Sequence, residues 1–120
     1  MDTKKRLLIV DDEADVCESI GNFLKRRDYD VTTATGGREA IDILKQGTFP
    51  VVLLDLKMPI VDGWTVLKET RSDHPETKYL VVSGLDDAEV KEKCKEAGAY
   101  DFIIKPIRVK AIYEMLEKLY

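Results

Sequence analysis

The chain has 120 residues, of which 44% are hydrophobic, and this is enough for one compact domain with a packed core. The net charge of −4 argues against nucleic-acid binding by this domain, because phosphate contacts need clustered Lys and Arg. No apolar run is long enough to span a bilayer and the N-terminus is unlike a secretory signal, so we expect a cytoplasmic protein with no membrane contact.

Two strand–helix pairs are predicted in the first part of the chain. Leu7–Val10 is a continuous apolar run, which is typical of a strand buried on both faces of a parallel sheet. The apolar stripe that follows it at helical spacing consists of Val16, Ile20 and Leu24. Asp30–Ala34 is a more polar strand, expected nearer the sheet edge. After the Gly36-Gly37 breaker, the second helical stripe consists of Ala40, Ile41 and Leu44.

Three further pairs complete the chain. Val51–Leu54 and Tyr79–Val82 are again continuous apolar runs, whereas Tyr100–Ile104 is a second edge-like strand. The helical stripes that follow these strands consist of Trp64, Leu67 and Arg71, then Val90, Cys94 and Ala97, and finally Val109, Ile112, Leu116 and Leu119. The fourth helix, predicted from Asp87 to Ala97, has the thinnest apolar stripe.

Strand and helix alternate five times, which indicates right-handed crossovers and a parallel sheet covered by helices on both faces. We therefore predict a single doubly wound α/β domain over residues 1–120. Cys17 and Cys94 are far apart and share no metal-binding or redox spacing, so they are expected to be reduced core residues.

In such sheets, ligands bind beyond the carboxyl ends of the strands, where the strand order reverses. The residues at these positions are Asp11, Asp12 and Glu13, then Asp55, then Ser83 and Gly84, and finally Lys105 and Pro106. Three carboxylates held close together repel one another unless a cation joins them, and oxygen-rich sites suit Mg²⁺. A carboxylate can attack phosphorus to give an aspartyl phosphate, a reaction that needs mainly positioning and charge neutralisation. Mg²⁺, a lysine and a hydroxyl would provide both.

The chain resembles the receiver domains of two-component response regulators over essentially its whole length. The motifs that carry this resemblance are Val10-Asp11-Asp12-Glu13, Leu54-Asp55-Leu56-Lys57-Met58-Pro59 with Asp62-Gly63, Ser83-Gly84 and Lys105-Pro106. The resemblance implies a flavodoxin-like (βα)5 fold with strand order 2-1-3-4-5. It also implies a signalling domain rather than an enzyme, one that assists its own phosphorylation and dephosphorylation.

The resemblance implies a role for each matching residue near the metal. Asp55 corresponds to the phosphoacceptor, which takes a phosphoryl group from the phosphohistidine of a sensor histidine kinase or phosphotransfer protein, or from a small phosphodonor. Asp11 and Asp12 correspond to the acid pair that binds Mg²⁺. Asp55 itself and the backbone carbonyl of Lys57 complete the implied metal site. Lys105 corresponds to the lysine that pairs with the phosphoryl group, and the Lys105-Pro106 peptide is expected to be cis.

The resemblance also implies a switch. Ser83 matches the hydroxyl that contacts the phosphoryl oxygen, and Phe102 matches the aromatic residue whose rotamer follows it. Phe replaces Tyr at this position, so the ring can rotate without a hydroxyl to hydrogen-bond. The side chains of Lys57 and Leu85 are expected to tune the lifetime of the acyl phosphate, with the apolar Leu85 hindering attack by water. The output face is expected to comprise the fourth helix, fifth strand and fifth helix, and to control a downstream protein, an effector domain or a phosphorylation-dependent dimer.

Competing functions are weaker. A phosphatase with an Asp nucleophile would place an Asp-x-Asp arrangement after the first strand, where this chain has the adjacent Asp11-Asp12. A flavodoxin-like cofactor binder would need a phosphate-cradling loop in the same place. A receiver-like interaction module that is not controlled by phosphorylation remains the main alternative. The one histidine, His74, is expected to be a solvated loop residue, not a phosphohistidine.

Overall fold

The computed structural model describes residues 5–84 and 88–120, in which five parallel strands alternate with five helices. The strands are β1 (Lys5–Val10), β2 (Tyr29–Ala34), β3 (Val51–Asp55), β4 (Lys78–Ser83) and β5 (Asp101–Ile104). The helices are α1 (Ala14–Lys25), α2 (Gly37–Gln46), α3 (Gly63–Thr70), α4 (Ala88–Glu96) and α5 (Val109–Glu117). A short 3₁₀ turn, Arg71–Asp73, follows α3.

The sheet has the order β2-β1-β3-β4-β5, which confirms the predicted topology. The two more polar strands, β2 and β5, lie at its edges as expected. All four strand pairs are parallel, so the carboxyl ends of the strands meet on one side of the sheet. The strand order reverses between β1 and β3, and this is where a ligand site is expected in an open α/β sheet.

The two faces of the sheet carry separate hydrophobic cores, because alternate strand residues point to opposite faces. Leu7 and Ile9 of β1 pack with the buried stripes of α1 and α5. Leu8 and Val10 of the same strand pack with those of α2 and α3. The continuous apolar runs are therefore buried on both sides, as their composition predicted.

Helix α4 is the least anchored helix among the side chains that the structure describes. Cys94 is its one buried residue there, whereas α1 buries Cys17, Ile20 and Leu24. Both cysteines are free and buried, which confirms their assignment as core residues. Few buried contacts make a local shift of α4 inexpensive in free energy.

Several sequence-based boundaries differ from the structure. Strand β5 starts at Asp101, and Tyr100, the predicted first residue, is exposed. Helix α5 ends at Glu117, so Leu119 lies beyond it, and Arg71 belongs to the 3₁₀ turn instead of the α3 stripe. Asp87 and Leu85 lie outside the described residues.

The prediction for His74 is wrong, because its side chain is buried. The turn after α3 folds back on itself: the N–H of His74 donates to the Arg71 carbonyl, and the carbonyl of His74 accepts from Thr77 and from the Arg71 guanidinium. These bonds place the imidazole against the protein. A short polar segment with proline, Asp73-His74-Pro75-Glu76, gave no indication of this closure.

No helix within residues 5–84 and 88–120 is both long and apolar enough to cross a membrane.

Candidate functional site

The carboxyl ends of four strands bring the predicted site residues to one edge of the sheet. Asp11 directly follows β1, Asp55 ends β3, Ser83 ends β4 and Lys105 directly follows β5. The strand register aligns these ends, since Val10 pairs with Leu54, Asp55 with Val82 and Ser83 with Ile104. The order of the strands, and not proximity in sequence, assembles the site.

Three carboxylates form the centre of this site. Asp11, Asp12 and Asp55 each offer an oxygen, and these oxygens all lie within 4.8 Å of one another. Asp11 and Asp55 are buried, whereas Asp12 is exposed. The backbone N–H of Glu13 donates to Oδ1 of Asp11 at 2.9 Å, and this bond fixes the Asp11 carboxylate at the start of α1. Such a set of oxygen ligands, open on one side, fits a hard divalent cation.

Asp55 is the most buried of the three carboxylates, with 2% of its surface exposed. Its Oδ1 lies 3.3 Å from Nζ of Lys105, as an ion pair, and accepts no hydrogen bond from the part of the chain that the structure describes. Burial raises the pKa of Asp55, and the Asp11 carboxylate raises it further. The Lys105 ammonium and the backbone N–H of Lys57 oppose that rise. An oxygen that is buried and incompletely satisfied is suited to a cation or an electrophile.

The loop from Leu56 to Asp62 joins Asp55 to α3 and carries Lys57. Its ends are held close, because the N–H of Gly63 donates to the Leu56 carbonyl at 2.9 Å. A Cβ at Gly63 would overlap the Asp55 carbonyl oxygen, so only glycine permits this approach. The Asp62 carboxylate caps α3 by accepting from the N–H of Thr65 at 2.8 Å. The Asp62-Gly63 pair therefore fixes where the loop rejoins the site.

The two predicted switch residues lie on neighbouring strands. Ser83 is buried, and its carbonyl accepts from the backbone N–H of Lys105 at 2.8 Å. Phe102 pairs with Val81 across the sheet and is half-buried against the core on the α2–α4 side. The Lys105-Pro106 peptide is cis. Backbone bonds thus tie the end of β4 to the start of the loop that contains Lys105.

Trp64 and Gly37 contribute to this region in ways that sequence reasoning did not foresee. The Trp64 ring is half-buried, and its Nε1 finds no acceptor within residues 5–84 and 88–120. Gly37 begins α2 at a point where a Cβ would overlap the Val61 carbonyl in the loop after Asp55. The sequence interpretation took Gly36-Gly37 as a helix breaker only, because a contact with a residue 24 positions away leaves no local pattern.

The comparison with known proteins agrees with this geometry. A family model described as "Response regulator receiver domain" matches residues 7–117. The chemotaxis protein CheY of Thermotoga maritima is 34% identical over 96% of this chain and 97% of its own length. A probable transcriptional regulator, ycf27 of Guillardia theta, is 35% identical over 93% of this chain.

Many relatives are longer than this chain. It spans 44% of the ycf27 protein, 25% of the regulator ZraR of Salmonella typhimurium and 51% of VanRB of Enterococcus faecalis. It also spans 28% of a relative named as a cyclic di-GMP phosphodiesterase from Thermotoga maritima. The matched part of that protein is the receiver domain, so its name assigns no enzymatic activity to this chain.

Solved structures agree with the fold. A CheY-like receiver domain protein from Methanospirillum hungatei aligns with a TM-score of 0.92 at 28% identity, over 97% of this chain and 93% of that one. CheY4 of Vibrio cholerae aligns with a TM-score of 0.90 at 28% identity, over 98% of this chain and 100% of that one. The chain therefore belongs to the response regulator receiver domain family, whose members are phosphate-accepting signalling domains.

Proposed function

We propose that Asp55 accepts a phosphoryl group from the phosphohistidine of a sensor histidine kinase or phosphotransfer protein, or from a small phosphodonor, with the help of Mg²⁺. One observation carries this proposal: Oδ1 of Asp55 is buried, faces the Lys105 ammonium at 3.3 Å, and lies beside the Asp11 and Asp12 carboxylates. A nucleophile, a cation and a set of metal ligands thus converge on one point.

The ligands in the proposed metal site are Asp11, Asp12, Asp55 and the backbone carbonyl of Lys57. Mg²⁺ bound there would neutralise the clustered carboxylates and the oxygens of the incoming phosphoryl group. The cluster of three carboxylates supports this assignment, because its negative charge needs a counter-charge. Among the ion pairs that the structure describes, Lys105 provides the one positive charge that contacts the cluster. The Lys105 ammonium would also pair with the phosphoryl group, and the Ser83 hydroxyl would donate to it.

The transfer needs no general base, because the nucleophile is the carboxylate form of Asp55, which has no proton to remove. Its oxygen attacks the phosphorus, the new O–P bond forms, and the bond from phosphorus to the donor's imidazole nitrogen breaks with its electron pair. In-line positioning and charge neutralisation provide the catalysis. On this account the chain is a signalling domain that assists its own phosphorylation and dephosphorylation, and it works in the cytoplasm.

A groove leads from the site along the surface between α1 and the start of α5. It has a volume of about 780 Å³ and includes Asp11 and Lys105 at the site. Away from the site, its charged lining residues are Glu13 and Asp15 on the α1 side and Arg108 and Lys110 on the α5 side. We propose that the phosphodonor protein lies along this groove, because a partner there reaches Asp55 directly.

The output is proposed to pass through the α4-β5-α5 face. Tyr100 and Ile104 expose apolar surface there, and Phe102 lies half-buried between them in sequence. Phosphorylation adds charge and acceptor oxygens next to Ser83, so a shift of Ser83 would alter the space available to Phe102 and the packing of α4. This face would then bind a downstream protein, an effector domain or a second copy of the chain, and the domain itself would not bind nucleic acid.

Intact mass spectrometry tests the proposed reaction. The wild-type chain is incubated with acetyl phosphate with and without Mg²⁺, beside Asp55→Asn. We expect one added phosphoryl group on the wild type only, and only when Mg²⁺ is present. No adduct on the wild type would favour the alternative, an interaction module that phosphorylation does not control. An equal adduct on Asp55→Asn would show that the acceptor lies elsewhere.

A further inference from the structure

The loop after Asp55 is held in a conformation that its own sequence disfavours. Ile60 has a φ of +71°, in the left-handed region, where a β-branched side chain is rarely found. The Ile60 side chain is fully exposed, so no packing of its own explains this conformation. Backbone strain of this kind persists only where the surroundings determine it. Within the loop, the hydrogen bond from the Val61 N–H to the Pro59 carbonyl closes a tight turn around Ile60, and a strained turn of this kind also needs support from its surroundings.

The first turn of α2 meets the loop at this point. A Cβ added to Gly37 would overlap the carbonyl oxygen of Val61 and would lie 2.6 Å from Val61 Cγ1. The adjacent Gly36 differs, because a Cβ there meets no described atom within 4 Å. The close contact is thus specific to Gly37, and it brings the backbone of α2 directly against the residue that follows Ile60.

The contact reaches the site through a short chain of backbone groups. The Val61 N–H donates to the Pro59 carbonyl at 2.8 Å. Two residues later, Gly63 packs against the Asp55 and Leu56 backbone and donates to the Leu56 carbonyl. A displacement of Val61 would therefore be transmitted to both ends of the segment that carries Lys57.

We propose that Gly37 is a positioning residue for the metal site: by lacking a side chain, it lets α2 hold Val61, and hence the Lys57 carbonyl and Asp55, where they bind Mg²⁺. This inference rests on the proposed function, since it assumes that Asp55 and Lys57 bind the metal. The three atoms that a Cβ at Gly37 would meet first all belong to Val61, which is not one of the proposed metal ligands. Its action is on the geometry of the loop.

The test compares Gly37→Ala with Gly36→Ala, which adds the same methyl group one residue earlier, where there is space for it. Mg²⁺ affinity is measured from the increase in the free energy of unfolding with Mg²⁺ concentration, relative to each variant's own metal-free value. Any purely structural loss appears in the metal-free value. We expect roughly tenfold weaker Mg²⁺ binding in Gly37→Ala, as for other residues that orient metal ligands, and unchanged binding in Gly36→Ala.

Equal Mg²⁺ affinity in Gly37→Ala and the wild type would overturn the inference. If Gly37→Ala does not fold, Ile60→Gly is added to it, since glycine at position 60 lets the loop move around the new methyl group. The double variant is then expected to bind Mg²⁺ more weakly than Ile60→Gly alone, and equal binding would overturn the inference. A wild-type chain that Mg²⁺ does not stabilise would instead refute the proposed function.

Discussion

The Lys105 ammonium lies 3.3 Å from Oδ1 of Asp55, and this ion pair joins the ends of β5 and β3, which are separated in the sheet by β4. The pair is asymmetric: the Asp55 side chain is 3% exposed and that of Lys105 is 35% exposed. The lysine therefore neutralises a buried carboxylate and can still turn toward a group that arrives from solvent.

Removing this ammonium should destabilise the protein only while Asp55 carries its charge. We expect Lys105→Gln to lower the free energy of unfolding by about 1 kcal/mol at neutral pH, a modest value because the lysine is partly solvated. Urea unfolding of the two single variants and of the double variant Lys105→Gln/Asp55→Asn gives the interaction free energy between Lys105 and Asp55. The Lys105 effect should disappear in the Asp55→Asn background, and an undiminished effect there would show that Lys105 stabilises the fold by other contacts.

Asp55 itself should reduce stability at neutral pH. Burial and the Asp11 carboxylate raise its pKa in the folded state above the unfolded value, so ionised Asp55 opposes folding. The loss of stability is complete at pH values above the pKa of Asp55 in the folded protein. It becomes smaller as the pH falls below that pKa, and it is gone once the pH is also below the pKa of Asp55 in the unfolded chain. Asp55→Asn should accordingly be more stable than the wild type at pH 7, with an advantage that shrinks on acidification.

Urea unfolding without Mg²⁺ at a series of pH values measures this advantage. Adding Mg²⁺ at pH 7 should stabilise the wild type more than Asp55→Asn, because the cation takes over the neutralisation. An advantage of Asp55→Asn that stays constant from pH 7 to acid would mean that the charge of Asp55 is not the cause.

Ile60 should be replaceable with a gain in stability. Asn tolerates the left-handed region better than a β-branched residue, so Ile60→Asn should raise the free energy of unfolding by about 1 kcal/mol. Asp28, exposed at a φ of +69°, offers a matched control, since Asp28→Asn exchanges two residues that both tolerate this region. Its effect should stay within about 0.5 kcal/mol. A loss of stability in Ile60→Asn would contradict the strain at this position.

Phosphorylation should alter amide hydrogen exchange on one side of the molecule. Cys94 is the one buried side chain that the structure describes in α4, which directly precedes β5 in the chain, so exchange in residues 88–104 should change when acetyl phosphate and Mg²⁺ are added. Helix α1, whose apolar stripe is buried, should change much less. Asp55→Asn under the same conditions provides the control. Unchanged exchange in residues 88–104 of the phosphorylated wild type would exclude the α4-β5-α5 face as the output.

Much of this fold could be predicted because its core strands are continuous apolar runs. Leu7–Val10 and Val51–Leu54 are long enough and apolar enough to indicate strands buried on both faces, and the stripes between them indicate helices. The carboxyl-end rule then located Asp11, Asp55 and Lys105 without any knowledge of the structure. These features are local in sequence or follow from one topological rule.

The features that were missed depend on contacts between distant segments. His74 is buried because the turn after α3 closes through the Arg71 guanidinium, which also donates to the Gly98 carbonyl at 3.1 Å. The contact between Gly37 and Val61 joins α2 to the loop after β3. Neither contact produces a periodic pattern, so neither could be derived from the sequence.

The identity of the phosphorylated residue is the central claim, and chemical mapping tests it most directly. The wild-type chain is phosphorylated with acetyl phosphate and Mg²⁺, reduced with borohydride to convert an aspartyl phosphate to homoserine, and digested for tandem mass spectrometry. We predict homoserine at position 55 and at no other aspartate. Homoserine at Asp11 or Asp12 instead, or a phosphoryl group retained on His74 or Ser83, would contradict the account.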